Sequence, residues 1–183
     1  MRARLALLLG LVVSLASLAG CGGGGLYGYS RSYSALGEEN PYLSRAVETS
    51  YEEVRRTRPE EQRFISWFGV VRAMEDAGGG RVRLSMSLRA HQERHLCEGP
   101  GDDTCRVTVS ERELGTFTVL LTARAADRSE GPMRLQIGSL LRVYGTATAD
   151  TDSSGGPVLE VEWYRHWPPH YYVTTRASSS MRR

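Results

Sequence analysis

The sequence predicts a mainly β protein: a small antiparallel barrel of five to six strands, preceded by one N-terminal helix and a flexible tether. Three observations carry this reading. Apolar and polar residues alternate with period two in most of the runs between residues 64 and 164, the signature of half-buried strands. Those runs follow one another with no helical spacing between most of them, which favours a sandwich or barrel. Before them lie a Gly- and Ser-rich stretch and then a segment with helical spacing. A composition of 40% apolar and 24% charged residues over 183 positions fits one globular domain with appendages, and excludes collagen-like, wholly disordered and polytopic membrane chains.

Residues 1–20 have the layout of a secretory signal. Arg2 and Arg4 form a basic start, and Leu5 to Leu18 is apolar apart from Gly10, Ser14 and Ser17. That stretch falls short of the ~20 residues that span a bilayer comfortably. Leu18-Ala19-Gly20-Cys21 resembles the bacterial lipobox. The resemblance implies cleavage before Cys21, a lipidated mature N-terminus, and a protein held in the cell envelope. Gly22 stands where an aspartate would resemble an inner-membrane retention signal, so the resemblance favours the outer membrane, facing the periplasm. One acyl chain binds reversibly, and two or more anchor stably.

Without Arg2 and Arg4 the 23 basic residues fall to 21, against 21 acidic ones, so the mature chain is neutral. A neutral body carries no general footprint for nucleic acid. Every basic residue is arginine. Cys21 is assigned to lipid, which leaves Cys97 and Cys105 as a disulfide pair across the loop EGPGDDT, worth roughly 2–3 kcal/mol by loop-closure entropy. A thiol metal site is the rival reading.

The tether runs over residues 21–40 (GGGGLYGYSRSYSALGEEN after the cysteine), and its tyrosines 27, 29 and 33 either ride freely or dock on membrane or domain. Residues 41–57 predict a helix: Leu43, Ala46, Val47, Tyr51 and Val54 share a face, Asn40 is the expected N-cap, Pro41 opens the first turn and Pro59 ends the element. The barrel then occupies 60–175, and 176–183 is a disordered tail. Its strands are 64–74, 81–89, 106–109, 115–123, 140–147 and 158–164. Val82, Leu84, Met86 and Leu88 face inward, as do Val107, Val109, Phe117, Val119 and Leu121. Leu159, Val161 and Trp163 share one face, with Tyr164 opposite. DTDSSGG reads as a hairpin connection between the last two strands. Gly69, Gly115, Gly138 and Gly145 are candidates for barrel corners. Of the closed arrangements, a five-stranded OB-like barrel fits these elements best, although 127–138 shows no long helix.

The runs GSLLRVYGTATAD and PVLEVEWYRHWP resemble the end of the Slp-type outer-membrane lipoprotein domain. Gly138, Val143, Gly145, Trp163, Tyr164 and Pro168 carry the match, over residues 64–173. The resemblance implies the barrel fold and the location, and it carries no established catalysis. The cysteine loop departs from that pattern.

Chemistry-bearing candidates are sparse. His91 and His95 are four apart and, with Asp102 and Asp103, are the candidate metal ligands; ordinary loop histidines are the competing reading. His166 and His170 flank Trp167-Pro168-Pro169, which forbids a helical turn. Glu160 and Glu162 read as cross-strand partners of arginines such as Arg142 or Arg83. Arg81, Arg83 and Arg89 make one basic strand face. Trp67, Trp163, Tyr164, Trp167 and Tyr171 either close the core or form a ligand platform. No nucleophile motif or phosphate loop is present, so no cofactor or enzymatic activity is expected. The chain reads as a non-enzymatic, lipid-anchored envelope protein whose barrel is an interaction module for another envelope component. The alternative is a small-ligand or metal binder using the histidines and the C-terminal aromatics.

Overall fold

The computed structural model describes residues 29–30, 35–57, 61, 63–96 and 106–176. Among the described residues there are seven strands: β1 (Tyr29–Ser30), β2 (Phe64–Gly78), β3 (Arg81–Leu96), β4 (Arg106–Thr122), β5 (Leu140–Thr151), β6 (Pro157–Trp167) and β7 (Val173–Thr174). The same residues include three short helices: α1 (Asn40–Leu43), α2 (Tyr51–Arg56) and α3 (Ala125–Arg128). Among the described residues no helix is long and apolar enough to cross a membrane.

β2 pairs with β3, β3 with β4, β4 with β6, β6 with β5, and β5 with β2, which closes a five-stranded barrel. The expected all-antiparallel ring needs one correction: β4 and β6 run parallel. Parallel neighbours need a crossover, and α3 with β5 supplies it. The two expected pieces 106–109 and 115–123 are one strand, β4. β2 runs on past its expected end into a turn in which Gly78, Gly79 and Gly80 all take left-handed φ, and β3 runs on at its far end to Leu96.

The barrel interior follows the period-two pattern. Ile65, Trp67 and Val71 come from β2, Leu84 and Met86 from β3, Phe117 and Val119 from β4, Leu141 and Val143 from β5, and Leu159 from β6. Gly69 takes the inward position between Trp67 and Val71. A Cβ there would lie 2.8 Å from the Phe117 ring, so the missing side chain is the space Phe117 fills. Gly115 and Gly145 likewise serve close approach, to the Tyr51 ring and to the Glu160 carbonyl, rather than the corner bends expected of them. Gly138 does take a left-handed φ of 86°.

Val107 and Val109 are buried, but not in the barrel as expected. They form a second cluster with Phe68, Leu140 and Trp167. Phe68 and Leu140 have the parity opposite to Trp67 and Leu141, so this cluster lies on the outer face of β2 and β5. The distal halves of β3 and β4 reach it as an arm whose register shifts near Arg89 and His91 bend the hairpin. β7 pairs in parallel with β4 at Thr108 and Val109, and β1 pairs with Leu96 and His95.

The single helix expected over 41–59 is two helices. Val47 leaves the helical path because its N–H bonds Phe64 O at 2.9 Å and it bridges Ile65. Ser50 then restarts the helix, its hydroxyl accepting from Glu53 N–H. Glu39 is the N-cap of α1, and Asn40 its first residue. Tyr51 on α2 lies over Gly115, donates to Thr116 O at 2.8 Å and tilts against Trp67 at 6.0 Å, so α2 closes one barrel end.

Candidate functional site

β6 is the strand around which the polar chemistry gathers. Alternation is interrupted at Glu162: Tyr144 pairs with Trp163 while the next β5 residue, Gly145, pairs with Val161. The extra residue reverses the faces beyond it. Tyr164 therefore enters the core and Trp163 turns outward, the reverse of the expected grouping of Leu159, Val161 and Trp163. Past this bulge, Tyr164 and His166 point toward α3, and Arg165 and Trp167 toward the outer face.

Toward α3, Asp127 collects two donors. The Tyr164 hydroxyl donates to Asp127 Oδ2 at 2.5 Å, and His166 Nδ1 lies 2.7 Å from Asp127 Oδ1. His166 Nε2 lies 3.0 Å from Ser139 Oγ. Burial pushes the Asp127 carboxyl up, but the bonds from His166 and Tyr164 outweigh it and hold the group below its ordinary value. The Tyr164 phenol is pushed up to about 12, first by burial and then by the adjacent carboxylate. Arg124 N–H donates to the Tyr164 hydroxyl at 3.0 Å.

Ser139, His166 and Asp127 thus stand in the order of a nucleophile, base and orienting acid. Their setting does not suit attack on a substrate. Ser139 is 0% exposed, and its hydroxyl also accepts from Gln136 N–H at 3.1 Å. His166 thus bridges Asp127 and Ser139 through its two ring nitrogens, and the chain of bonds ties the β5 entrance to β6 and α3. A serine-directed fluorophosphonate is expected to leave the native protein unmodified; labelling that disappears in Ser139→Ala would restore a hydrolytic role.

On the outer face, a second network surrounds Glu39, which is wholly buried. Its carboxylate accepts from the Tyr144 hydroxyl, from Leu36 N–H at 3.1 Å and from Arg165 at 3.3 Å, with Arg142 at 3.5 Å. Residues 35–40, read from sequence as part of the tether, are therefore docked on the barrel. Tyr42 stacks on Trp163 at 5.6 Å. Beside Trp163 is a surface cleft of about 290 Å³ lined in part by Glu38, Arg124 and Glu162.

The five aromatics, read from sequence as either core-closing residues or a ligand platform, are spread over the fold. Trp67 is inside the barrel, its indole N–H donating to Thr49 O at 2.9 Å. Tyr164 also lies in the main core, and Trp167 stacks on Phe68 in the outer cluster. Trp163 is half-buried on the surface, and Tyr171 is exposed. His91 stacks on Phe68 at 4.7 Å. The backbone of His95 pairs with Val107 and Ser30. Asp102 and Asp103 lie outside the described residues, and among those described no group of three metal-ligating side chains occurs. Cys21, Cys97 and Cys105 also lie outside them. His170 sits in the Pro168–Pro169 turn with φ 76°.

Glu160 and Glu162 pair with arginines other than Arg142 and Arg83. Glu160 meets Arg81, and Glu162 holds Arg45 through two bonds of 2.9 and 3.2 Å. On the face read as basic, Glu113 receives Arg72 and Ser87, and Arg89 reaches the Glu111 carbonyl. Glu39, Asp127 and Ser139 were not singled out by the sequence. Glu39 is 126 positions from Arg165 and lies in no periodic pattern, so no local signal marks it.

Compared with known proteins, the chain matches no family model and no curated protein.

Proposed function

We propose that this chain is a non-enzymatic, lipid-anchored protein of the cell envelope, attached through Cys21 to the outer membrane on its periplasmic side, whose barrel is an interaction module. The observation that carries the proposal is the filled interior. Leu84, Met86, Phe117, Val119, Leu141, Val143 and Leu159 are each 0% exposed, which leaves the outer surface for recognition. The burial of Ser139 supports a non-catalytic role. The barrel is of OB-like form: its strand order, with the parallel junction falling between β4 and β6, supports that reading, and Gly138 and Gly145 of the Slp-like motif occupy positions with a backbone reason for glycine. That fold hosts many partners, so it does not name one.

Cys97 and Cys105 are assigned to a disulfide across the tip of the β3–β4 arm. Leu96 and Arg106, the residues just inside them, are register partners, which favours the pairing. Residues 22–28 separate the proposed anchor at Cys21 from β1, which pairs with the β3–β4 arm.

Cys21→Ala is expected to move the protein from the membrane fraction to the soluble fraction. Crosslinking in intact cells should capture an envelope protein with the wild type and lose it with the variant. Retention of Cys21→Ala in the membrane fraction would overturn the anchor, and an empty crosslinking result with anchored wild type would overturn the interaction role.

A further inference from the structure

On the outer face of β5 and β6, two arginines and a tyrosine converge on one carboxylate. Arg142 is fixed by a bond from its Nε to Ser66 Oγ at 2.9 Å, and its guanidinium lies 5.1 Å from both the Phe68 and Tyr144 rings. Arg165 lies 4.8 Å over the Trp167 ring. None of these supports comes from the segment that supplies the carboxylate. Rings beneath the guanidiniums restrict their motion and leave their N–H edges to converge with the Tyr144 hydroxyl on one point. That point holds the Glu39 carboxylate. Charge-assisted donors from two planar cations and a phenol suit a carboxylate.

We infer that Arg142, Tyr144 and Arg165 form a carboxylate-recognition site, that Glu39 fills it from within the chain, and that an acidic peptide with a glutamate followed three positions later by tyrosine competes for it. The inference deepens the interaction reading by giving the partner's chemistry, and it rests on that reading for a partner acting in trans. Besides Glu39, the strap of residues 35–43 is held through Tyr42 against Trp163 and Tyr144, and just beyond it Arg45 lies 4.2 Å over Phe64 and Val47 bonds Phe64 O. No residue of α1 itself is buried, and the Arg45–Glu162 pair that follows is exposed on both sides. Exposed pairs of that kind contribute little. Glu39 is the buried hold of the strap, and residues 35–40 of the strap belong to the segment read as the tether. An occupant held in the same chain masks the site, lowering the apparent affinity of any competitor by the fraction of molecules with the strap lifted.

The test uses the full mature chain with Glu39→Ala, and a labelled peptide of residues 35–43. Acetate should raise the melting temperature of Glu39→Ala above that in chloride at equal ionic strength, and leave the wild type unmoved. The peptide should bind Glu39→Ala at least about tenfold more tightly than wild type, and adding Arg165→Ala should abolish both effects. Glu39→Gln, which keeps the shape and removes the charge, carries the same comparison if the alanine variant does not fold. Equal responses to acetate and chloride, with equal peptide affinity for variant and wild type, would overturn the inference. Peptide binding without any crosslinked envelope partner would leave the site standing and remove the interaction role; crosslinks without peptide binding would do the reverse.

Discussion

Gly145→Val is expected to destabilise the barrel by at least about 3 kcal/mol, the upper part of the range for overpacking. A Cβ at Gly145 would lie 2.2 Å from the Glu160 carbonyl oxygen and 2.9 Å from Val161 Cα. Both are backbone atoms of the neighbouring strand, so no side-chain rotation relieves the clash. β5 and β6 would have to separate where Gly145 pairs with Val161, next to the bulge that places Tyr164 inside. Against a total stability of about 5–15 kcal/mol, that is a large loss. For a domain of this size it corresponds to a fall in melting temperature of about 6–12 °C. Gly37→Ala is the control: nothing lies within 4 Å of its added Cβ, and a change of no more than about 0.5 kcal/mol is expected. A melting temperature for Gly145→Val close to wild type would mean that the bulge is misplaced.

Reading the sequence recovered what local alternation encodes. Val82 to Leu88 was legible because one face of β3 meets the core and the other carries only polar residues, from the exposed Arg83 to the buried Ser87. The same logic found Phe117, Val119 and Leu121. It could not separate the barrel interior from the cluster under the arm, because Val107 and Val109 alternate identically whichever apolar layer receives them. It could not foresee the reversal at Glu162, since a bulge is decided by the partner strand. The helix over 41–59 failed for a related reason: Val47 has the right spacing, but a bond to Phe64 across the fold outweighs the local preference.

The candidate sites were less legible than the fold. Aromatic density at the C-terminus left core closure and a ligand platform both open, and the strand distributes Trp163, Tyr164 and Trp167 among a surface, the core and an outer cluster. The groups that do converge come from distant positions. Tyr144 meets Glu39 across 105 residues, and Asp127 meets His166 across 39. Such pairings leave no trace in spacing, because the geometry that joins them exists only after the barrel has closed.

Asp127→Ala should show how much that closure depends on one carboxylate. Asp127 side-chain exposure is 11%, and its oxygens accept from Tyr164 and His166, which are themselves largely buried. Removing it leaves two polar groups without their acceptor, at a cost of about 2–4 kcal/mol near pH 7. Because the folded protein holds this carboxyl below its ordinary value, the contribution is complete above the usual carboxylate range and fades as pH falls through the folded value. The difference between wild type and Asp127→Ala should therefore shrink in acid. Tyr164 works in the opposite direction. Its phenol is pushed up to about 12 from an ordinary value of 10, so its stabilisation is whole below about 10 and is lost as pH rises toward 12. Tyr164→Phe should remove that alkaline loss while costing less at neutral pH, since His166 still serves Asp127. Denaturant melts across both ranges would read the two effects separately. A gap for Asp127→Ala that stays constant into acid would show that the carboxylate contributes through packing rather than through its charge.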